Sequence, residues 1–153
     1  MTNAIVRLEP ACLDPALELD QLLRTVAGAG AIVSFVGLAR ALGKNGLPVE
    51  RLVLEHHPQR TLHSLQTIAQ DGADRFAVSH VRVVHRCGEV APHAPIVFVA
   101  AASIHRREAF QAADYLMDRL KTDAEFWKRE DHSDGSTWIE PTETDYADRN
   151  RWG

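Results

Sequence analysis

Short apolar runs come in pairs along this chain, and each pair precedes a longer segment with helical spacing. The first pair is Ala31–Val36 and Leu52–His56, and the second is Val81–His85 and Ile96–Ala101. Runs of this length that are rich in β-branched residues predict strands, and we expect Ala31–Val36 to be a buried one. Two strands in succession exclude the strict alternation of a doubly wound parallel sheet. The pattern therefore predicts an α+β fold with a mixed or mainly antiparallel sheet.

Three segments place apolar residues at helical spacing, namely Asp14–Ala27, Thr61–Phe76 and Ile104–Leu120. At the start of the first segment, Asp14 can cap the helix and Pro15 suits its first turn. The periodicity therefore predicts about three helices.

The length and composition fit one ordinary domain. The chain has 153 residues, of which 45% are hydrophobic and 25% charged, so it can bury a core without disulfides. We expect a single domain over residues 1–153, with a polar, turn-rich tail over about residues 131–153. Because Trp138, Ile139 and Trp152 interrupt that tail, we expect part of it to dock onto the body or onto a partner.

The charge and cysteine content exclude several classes of protein. A formal net charge of −4 disfavours broad binding to nucleic acid or to membrane surfaces, and no stretch approaches the roughly 18 apolar residues of a membrane span. Cys12 and Cys87 stand apart with no CxxC pair, which favours a reducing cytoplasm, and we expect Cys87 in the core.

The histidines do not follow a metal-ligand pattern. His56 and His57 are adjacent, so they point to opposite faces of a strand, and neither HxH nor HExxH occurs. The phosphate-binding patterns GxGxxG and GxxxxGK[ST] are also missing from the sequence. We expect no metal and no cofactor.

A candidate anion site lies where the last predicted strand passes into the third helix. Ser103 is a plausible N-cap there, and the free N–H groups of a first helical turn attract anions. His105 and Arg106 would strengthen that attraction. The alternative is that both are solvated residues at the start of a helix, and the residues alone leave this open.

One stripe of the third helix is apolar in the middle and cationic at both ends. Its members are Arg106, Phe110, Ala113, Met117 and Lys121. If the helix continued, Lys128 would return to the same stripe. A lysine against apolar side chains and beside another cation has a lowered pKa, which suits it to proton transfer or nucleophilic work. The alternative is an ordinary surface lysine.

These segments resemble the large, catalytic subunit of molybdopterin synthase. The matching stretches are GAIVSFVGLAR (Gly30–Arg40), LEHHP (Leu54–Pro58), VHRCGE (Val84–Glu89), IVFV (Ile96–Val99) with SIHR (Ser103–Arg106), and LMDRLKTDAEFWKRE (Leu116–Glu130). The last stretch is long and specific, and together they span most of the chain.

The resemblance implies an α/β-hammerhead fold and a sulfurtransferase. The family converts a cyclic pyranopterin monophosphate, precursor Z, to molybdopterin in molybdenum-cofactor biosynthesis. The sulfur arrives as the C-terminal thiocarboxylate of a small ubiquitin-like partner subunit, and the assembly is a heterotetramer around a homodimer of the large subunit. The alternative is a non-catalytic module that keeps the fold and binds the anion or the partner.

The resemblance also implies roles for particular residues. Lys121 and Lys128 match the essential lysines and are the expected catalytic residues. The other expected substrate contacts are Leu38, Ala39, Arg40, His105, Arg106, Arg129 and Glu130.

Two features complicate this assignment. Pro141 and Thr142 stand where some relatives have a basic residue, and whether Arg149 or Arg151 substitutes for it stays open. In addition, Arg106 and Lys121 are fifteen residues apart on one predicted helix, or about 22 Å at 1.5 Å per residue. We therefore expect a composite site, completed either by a second protomer or by the far end of an elongated pocket.

Overall fold

A computed structural model describes residues 2–153, so Met1 alone of the predicted domain lies outside the described residues. This part of the chain forms eight strands and four helices. The strands are β1 (Asn3–Glu9), β2 (Ala31–Leu38), β3 (Arg51–His56), β4 (His80–Arg86), β5 (Gly88–Val90), β6 (Pro95–Ser103), β7 (Phe126–His132) and β8 (Gly135–Ile139). The helices are α1 (Pro15–Thr25), α2 (Pro58–Arg75), α3 (Arg106–Asp123) and α4 (Glu143–Asn150).

The strands form two four-stranded sheets. The first has the order β1-β4-β6-β2, in which β1 runs parallel to β4 and the other neighbours are antiparallel. The second has the order β5-β3-β7-β8 and is antiparallel throughout. The predicted α+β class with mixed and antiparallel pairing is confirmed.

The main core lies between the first sheet and the helices α2 and α3. Side chains alternate along β4, so Val81 and Val83 join this core while Val84 joins a smaller cluster under α1. Leu116 of α3 is fully buried in the main core, and truncating such a leucine costs about 2–5 kcal/mol. The first sheet is therefore covered on both faces.

The predicted first helix is confirmed, because the Asp14 side chain accepts a hydrogen bond from the Leu17 N–H at 3.1 Å. Cys87 is buried, as predicted. None of the helices in the described part of the chain is long and apolar enough to cross a membrane.

A strand forms over Ala31–Val36, but the prediction that it is buried was wrong, because no residue of β2 is buried and the second half of Ala31–Val36 is exposed. Phe35 is 41% exposed and Val36 39% exposed, because β2 is the outer strand of its sheet and has a neighbour on one side. Apolar composition identified the strand but could not show that it lies at an edge.

The prediction of about three helices was one too few, because the tail contains α4. No residue of α4 is buried, so it has no apolar stripe for a periodicity search to find. The predicted docking of the tail is confirmed by Trp152, whose ring packs edge-on against Phe76 and Tyr115 with centroids 5.8 and 5.5 Å apart.

Candidate active site

A cavity of about 380 Å³ lies where the end of β2, the last turn of α3, the strands β7 and β8, and the start of α4 come together. Its polar lining consists of Arg40, Lys44, Lys121, Thr122, Lys128, Glu130, Glu140, Thr142, Asp145 and Tyr146. Its apolar lining includes Leu38, Leu52, Ile96, Leu120, Phe126 and Ile139. We call this space the lysine cavity.

The chain has only three lysines, and all three line this cavity. Lys44 lies on the loop between β2 and β3, Lys121 in the last turn of α3, and Lys128 in β7. Every other permanently cationic side chain is an arginine. Because a lysine can lose its proton far more readily than an arginine, the cavity holds every lysine side chain that could take part in proton transfer.

Strand pairing brings Lys121 and Lys128 together, whereas helical periodicity suggested one continuous helix. The third helix ends at Asp123 and Ala124 is its C-cap, so the premise that the helix continues to Lys128 was wrong. The chain turns and β7 begins at Phe126, pairing antiparallel with β3 so that Lys128 lies opposite Leu54. This pairing brings the ammonium group of Lys128 back to the end of α3.

The pKa of Lys128 is lowered to about 8, mainly by burial and also by the positive charge of Lys121, while the charge of Asp145 opposes the change. Removing a cation from water disfavours its charged form, and a second cation nearby has the same effect. The predicted lowering of a lysine pKa is therefore supported for Lys128. At pH 7 about a tenth of these side chains are neutral and able to accept a proton.

The floor of the lysine cavity rests on a buried histidine that sequence reasoning left aside. His85 is 5% exposed, and its ring stacks on Phe126 with centroids 4.2 Å apart. Its Nδ1–H donates a hydrogen bond of 2.7 Å to the Arg86 carbonyl. Burial lowers the pKa of His85 to about 4, and the charges of Lys128 and Lys121 act in the same direction. The imidazole is therefore neutral near pH 7.

The segment Leu38–Arg40, for which the resemblance implies substrate contacts, forms part of the cavity wall. Ala39 is buried. Its N–H donates a hydrogen bond of 2.9 Å to the Ala94 carbonyl, and its carbonyl accepts one of 2.8 Å from the His93 N–H. These two backbone hydrogen bonds fix the direction in which the chain continues to Arg40.

Strand alternation separates the expected residues of β7. Lys128 and Glu130 line the cavity, whereas Arg129 points to the opposite face. There its Nε–H donates to Asp131 at 2.8 Å, and its guanidinium lies 5.7 Å from the centre of the Trp138 ring. The structure therefore does not bring Arg129 together with the two lysines.

His105 and Arg106 line a different cavity, of about 650 Å³, at the other end of α3. Its lining also includes Gly30, Ile104, Arg107 and Phe110, and we call it the α3-start cavity. The prediction that Ser103 caps the helix was wrong, because β6 extends to Ser103 and His105 is the N-cap residue. The Ser103 hydroxyl donates to the Ala77 carbonyl at 2.7 Å and accepts from the N–H of His105 at 3.3 Å.

Within one chain, the two ends of α3 thus serve two separate spaces. Helical geometry separates Arg106 from Lys121 by about 22 Å, and the two cavities have different linings. The structure of one protomer therefore shows two cavities and does not show the single elongated pocket that was the second alternative.

Four titratable residues of the lysine cavity were missed by sequence reasoning, namely Lys44, Glu140, Asp145 and Tyr146. The scarcity of lysine was a usable signal for Lys44, because three lysines against fourteen arginines is an unusual ratio. The other three line the cavity only because α4 folds back onto α3, and no sequence spacing indicates that.

Arg149 and Arg151 are bonded within their own chain. Arg151 lies 2.7 Å from both Asp114 and Asp118, and Arg149 lies 3.4 Å from Asp123. Both guanidinium groups therefore hold α4 against α3. Within residues 2–153, no group of three or more His, Cys, Asp or Glu side chains is placed to hold a metal ion.

The site defines an α+β protein with one cavity that is lined by all three lysines and by Arg40, and comparison with known proteins places it in a family. The family model described as MoaE protein matches residues 9–123. The chain belongs to the MoaE protein family.

Relatives are similar over almost their whole length. The molybdopterin synthase catalytic subunit of Caulobacter vibrioides is 45% identical over 148 residues, which cover 97% of both chains. The corresponding subunit of Pseudomonas aeruginosa is 41% identical over 147 residues, which cover 96% of this chain and 97% of the relative. Residues 124–153, beyond the family-model match, are therefore largely included in these similarities.

The similar solved structures are of proteins of the same kind as the sequence relatives. The molybdopterin biosynthesis MoaE protein from Burkholderia ambifaria has a TM-score of 0.82 at 37% identity and covers 98% of both chains. The molybdopterin synthase of Staphylococcus aureus has a TM-score of 0.75 at 27% identity, over 91% of this chain and 98% of that one.

Proposed function

We propose that this chain is the catalytic subunit of a molybdopterin synthase and acts in molybdenum-cofactor biosynthesis. The proposal rests on one observation: in a member of the MoaE protein family, all three lysines of the chain line a single cavity together with Arg40. Two relatives that are 45% and 41% identical are catalytic subunits of this enzyme.

The proposed reaction is a sulfur transfer to precursor Z. The sulfur arrives as the C-terminal thiocarboxylate of a small ubiquitin-like partner, and its tail enters the lysine cavity. Both the cyclic phosphate and the tail are anions, and a partly buried cluster of cations attracts anions more strongly than an exposed one. Neither Cys12 nor Cys87 lines the lysine cavity, which favours sulfur from a partner over sulfur from this chain.

The geometry supports distinct roles for the cavity residues. Arg40 can bind a phosphate through two parallel hydrogen bonds. Lys128, whose pKa is about 8, can accept and return a proton near neutral pH as sulfur replaces oxygen. Lys121 stabilises the negative charge that develops when the cyclic phosphate opens. Leu38, Ala39 and Glu130 shape the surrounding wall.

We further propose that a second copy of the chain supplies His105 and Arg106 to the lysine cavity. The separation of the two cavities within one protomer supports this arrangement. So do the exposed apolar side chains of β2 and of the α3 start, Phe35, Val36, Ile104 and Phe110, since an apolar surface of this kind favours a protein contact. The resulting enzyme is a homodimer within a heterotetramer.

Reconstitution tests the function directly. The purified chain, a thiocarboxylated small subunit and precursor Z are expected to yield molybdopterin, detected by mass spectrometry. A small subunit ending in an ordinary carboxylate is the matched control and should give none. No product with all three components present would overturn the catalytic proposal. Binding of precursor Z without turnover, measured by calorimetry, would instead favour the non-catalytic binding module.

A further inference from the structure

The C-terminal helix forms part of the wall of the lysine cavity. Pro141, Thr142, Asp145 and Tyr146 all line it. The far end of this segment is anchored to α3, because the Trp152 indole N–H donates to Asp118 at 2.7 Å and Arg151 bonds the same carboxylate. The wall is therefore attached to the helix that holds Lys121.

Asp145 has a fixed position in that wall. The Thr142 N–H donates to Asp145 Oδ2 at 2.8 Å, and the Asp145 N–H donates to Thr142 Oγ1 at 3.1 Å. This reciprocal pair is a capping box, which orders the first turn of α4. Of the two carboxylate oxygens, Oδ1 lies outside the capping box.

The two lysines favour the ionised form of Asp145. Burial raises the pKa of the Asp145 carboxyl, but the hydrogen bonds from Thr142 and the charges of Lys121 and Lys128 outweigh burial, so the pKa lies below its ordinary value. In return, Asp145 favours the charged form of Lys128. Asp145 and Lys128 therefore stabilise each other's charge.

Lys128 faces other charged or titratable groups on every element around it. They are Lys121 on α3, Glu130 on β7, Glu140 before α4, Arg40 and Lys44 on the segment after β2, and His85 on β4 beneath. Glu130 approaches His132, whose Nε2 lies 3.8 Å from its Oε1, and Glu140 is exposed. Asp145 is the acid whose carboxylate a capping box holds in place.

We propose that Asp145 is a positioning residue whose carboxylate serves as the resident counter-ion of Lys121 and Lys128 while no anionic ligand is bound. This inference rests on the proposed function for its catalytic meaning. By its charge, Asp145 keeps Lys128 protonated until the substrate or the carrier tail enters. The helix α4 therefore contributes a charged residue to the site in addition to part of its wall.

The electrostatic part can be tested on the chain alone. With only three lysines, NMR of ¹³Cε-labelled lysine should give three signals, assigned with Lys44→Arg and Lys128→Arg. In Asp145→Asn the amide oxygen still accepts from the Thr142 N–H, but the charge is gone. We expect the pKa of Lys128 to fall by about 1. Asp145→Glu should restore it towards the wild-type value.

Glu143→Gln is the matched control, because it removes a charge from the same first turn at a side chain outside the cavity lining. An unchanged Lys128 titration in Asp145→Asn, or an equal shift in Glu143→Gln, would overturn the inference. In the reconstituted enzyme, the midpoint of the pH–rate profile should move to lower pH by the same amount in Asp145→Asn and stay in place in Glu143→Gln.

The two proposals fail in distinguishable ways. If wild-type enzyme forms product but the pKa of Lys128 does not respond to Asp145→Asn, the counter-ion role is wrong and the function stands. If the pKa responds but no wild-type product forms, the counter-ion role is supported and the proposed function is overturned.

Discussion

The two cavities at the ends of α3 hold similar cations in very different surroundings. Strands of both sheets and the helices α3 and α4 enclose the lysine cavity. The side chain of Lys128 in this cavity is partly buried. The α3-start cavity is wider and rimmed by Ile104 and Phe110, which are 71% and 60% exposed. The first cavity is built by packing within one chain, whereas the second presents an unpartnered apolar rim.

This difference has an electrostatic consequence. In the lysine cavity, packing forces two ammonium groups together in a desolvated space, and that arrangement is stable only if anions compensate it. The solvated guanidinium of Arg106 needs no such compensation. We therefore propose that proton transfer takes place in the lysine cavity and that the α3 start contributes to binding.

The largest expected effect distinguishes the two faces of β7. Lys128→Ala should lower kcat of the reconstituted enzyme by about 100-fold or more, because it removes the group placed to move the proton. Arg129→Gln, on the opposite face, should change kcat by less than about threefold. Steady-state kinetics measure both, and an equal loss in the two variants would contradict the assignment of the cavity face.

Complementation tests whether the two cavities join between copies. An equal mixture of Lys121→Ala and Arg106→Ala chains, refolded together, should recover about a quarter of wild-type activity, since half the dimers are mixed and each has one intact site. A mixture of Lys121→Ala with Lys128→Ala is the control and should stay inactive, because both residues come from the same protomer. Recovery in neither mixture would exclude the two-protomer site.

The buried floor of the lysine cavity predicts acid sensitivity. The folded-state pKa of His85 is about 4, below the ordinary value near 6.5, so the unfolded chain binds the proton first as pH falls. The free energy of unfolding should therefore drop by about 3 kcal/mol from this residue between pH 6.5 and 4. Denaturant titrations across that range measure it.

His85→Phe keeps a ring on Phe126 and should lack this part of the pH dependence, even if it is less stable at every pH. Phe126→Leu disturbs the same stack but keeps the imidazole, and it should retain the acid loss. The prediction is contradicted if His85→Phe and the wild type lose stability in parallel.

The smallest expected effect concerns the exposed rim of the lysine cavity. Lys44→Ala should raise KM for precursor Z by about threefold and leave kcat unchanged, because an exposed cation adds less than about 1 kcal/mol to anion binding. Arg60→Ala, an exposed change on α2, is the matched control. A KM shift of the same size in Arg60→Ala would show that net charge alone is responsible.

Much of the first sheet and its helices could be predicted from the sequence. β-branched runs and helical periodicity report burial directly, and they identified β2, β3, β4, β6 and the helices α1 to α3. They missed β1, β5, β7, β8 and α4, most of whose side chains are polar or only partly buried. Such elements are held by pairing with distant segments, and local patterns do not record that pairing.

The residue types of the site were also readable in advance, but their arrangement was not. Lys121, Lys128 and Arg40 were identified from their neighbours and from the resemblance, and they do line one cavity. Arg129 was placed with them, yet strand alternation turns it away. Asp145 was not considered, because its relation to Lys128 depends on α4 folding back over α3.

By itself, the sequence determined which groups are available, namely three lysines, the histidines, and apolar segments able to form strands and helices. Only the tertiary structure decided which of these groups meet. The pKa of Lys128 shows the physical reason, since it depends on burial, on Lys121 and on Asp145, and these are set by antiparallel pairing and helix docking between residues far apart in the chain. The same packing left His105 and Arg106 at the other end of α3.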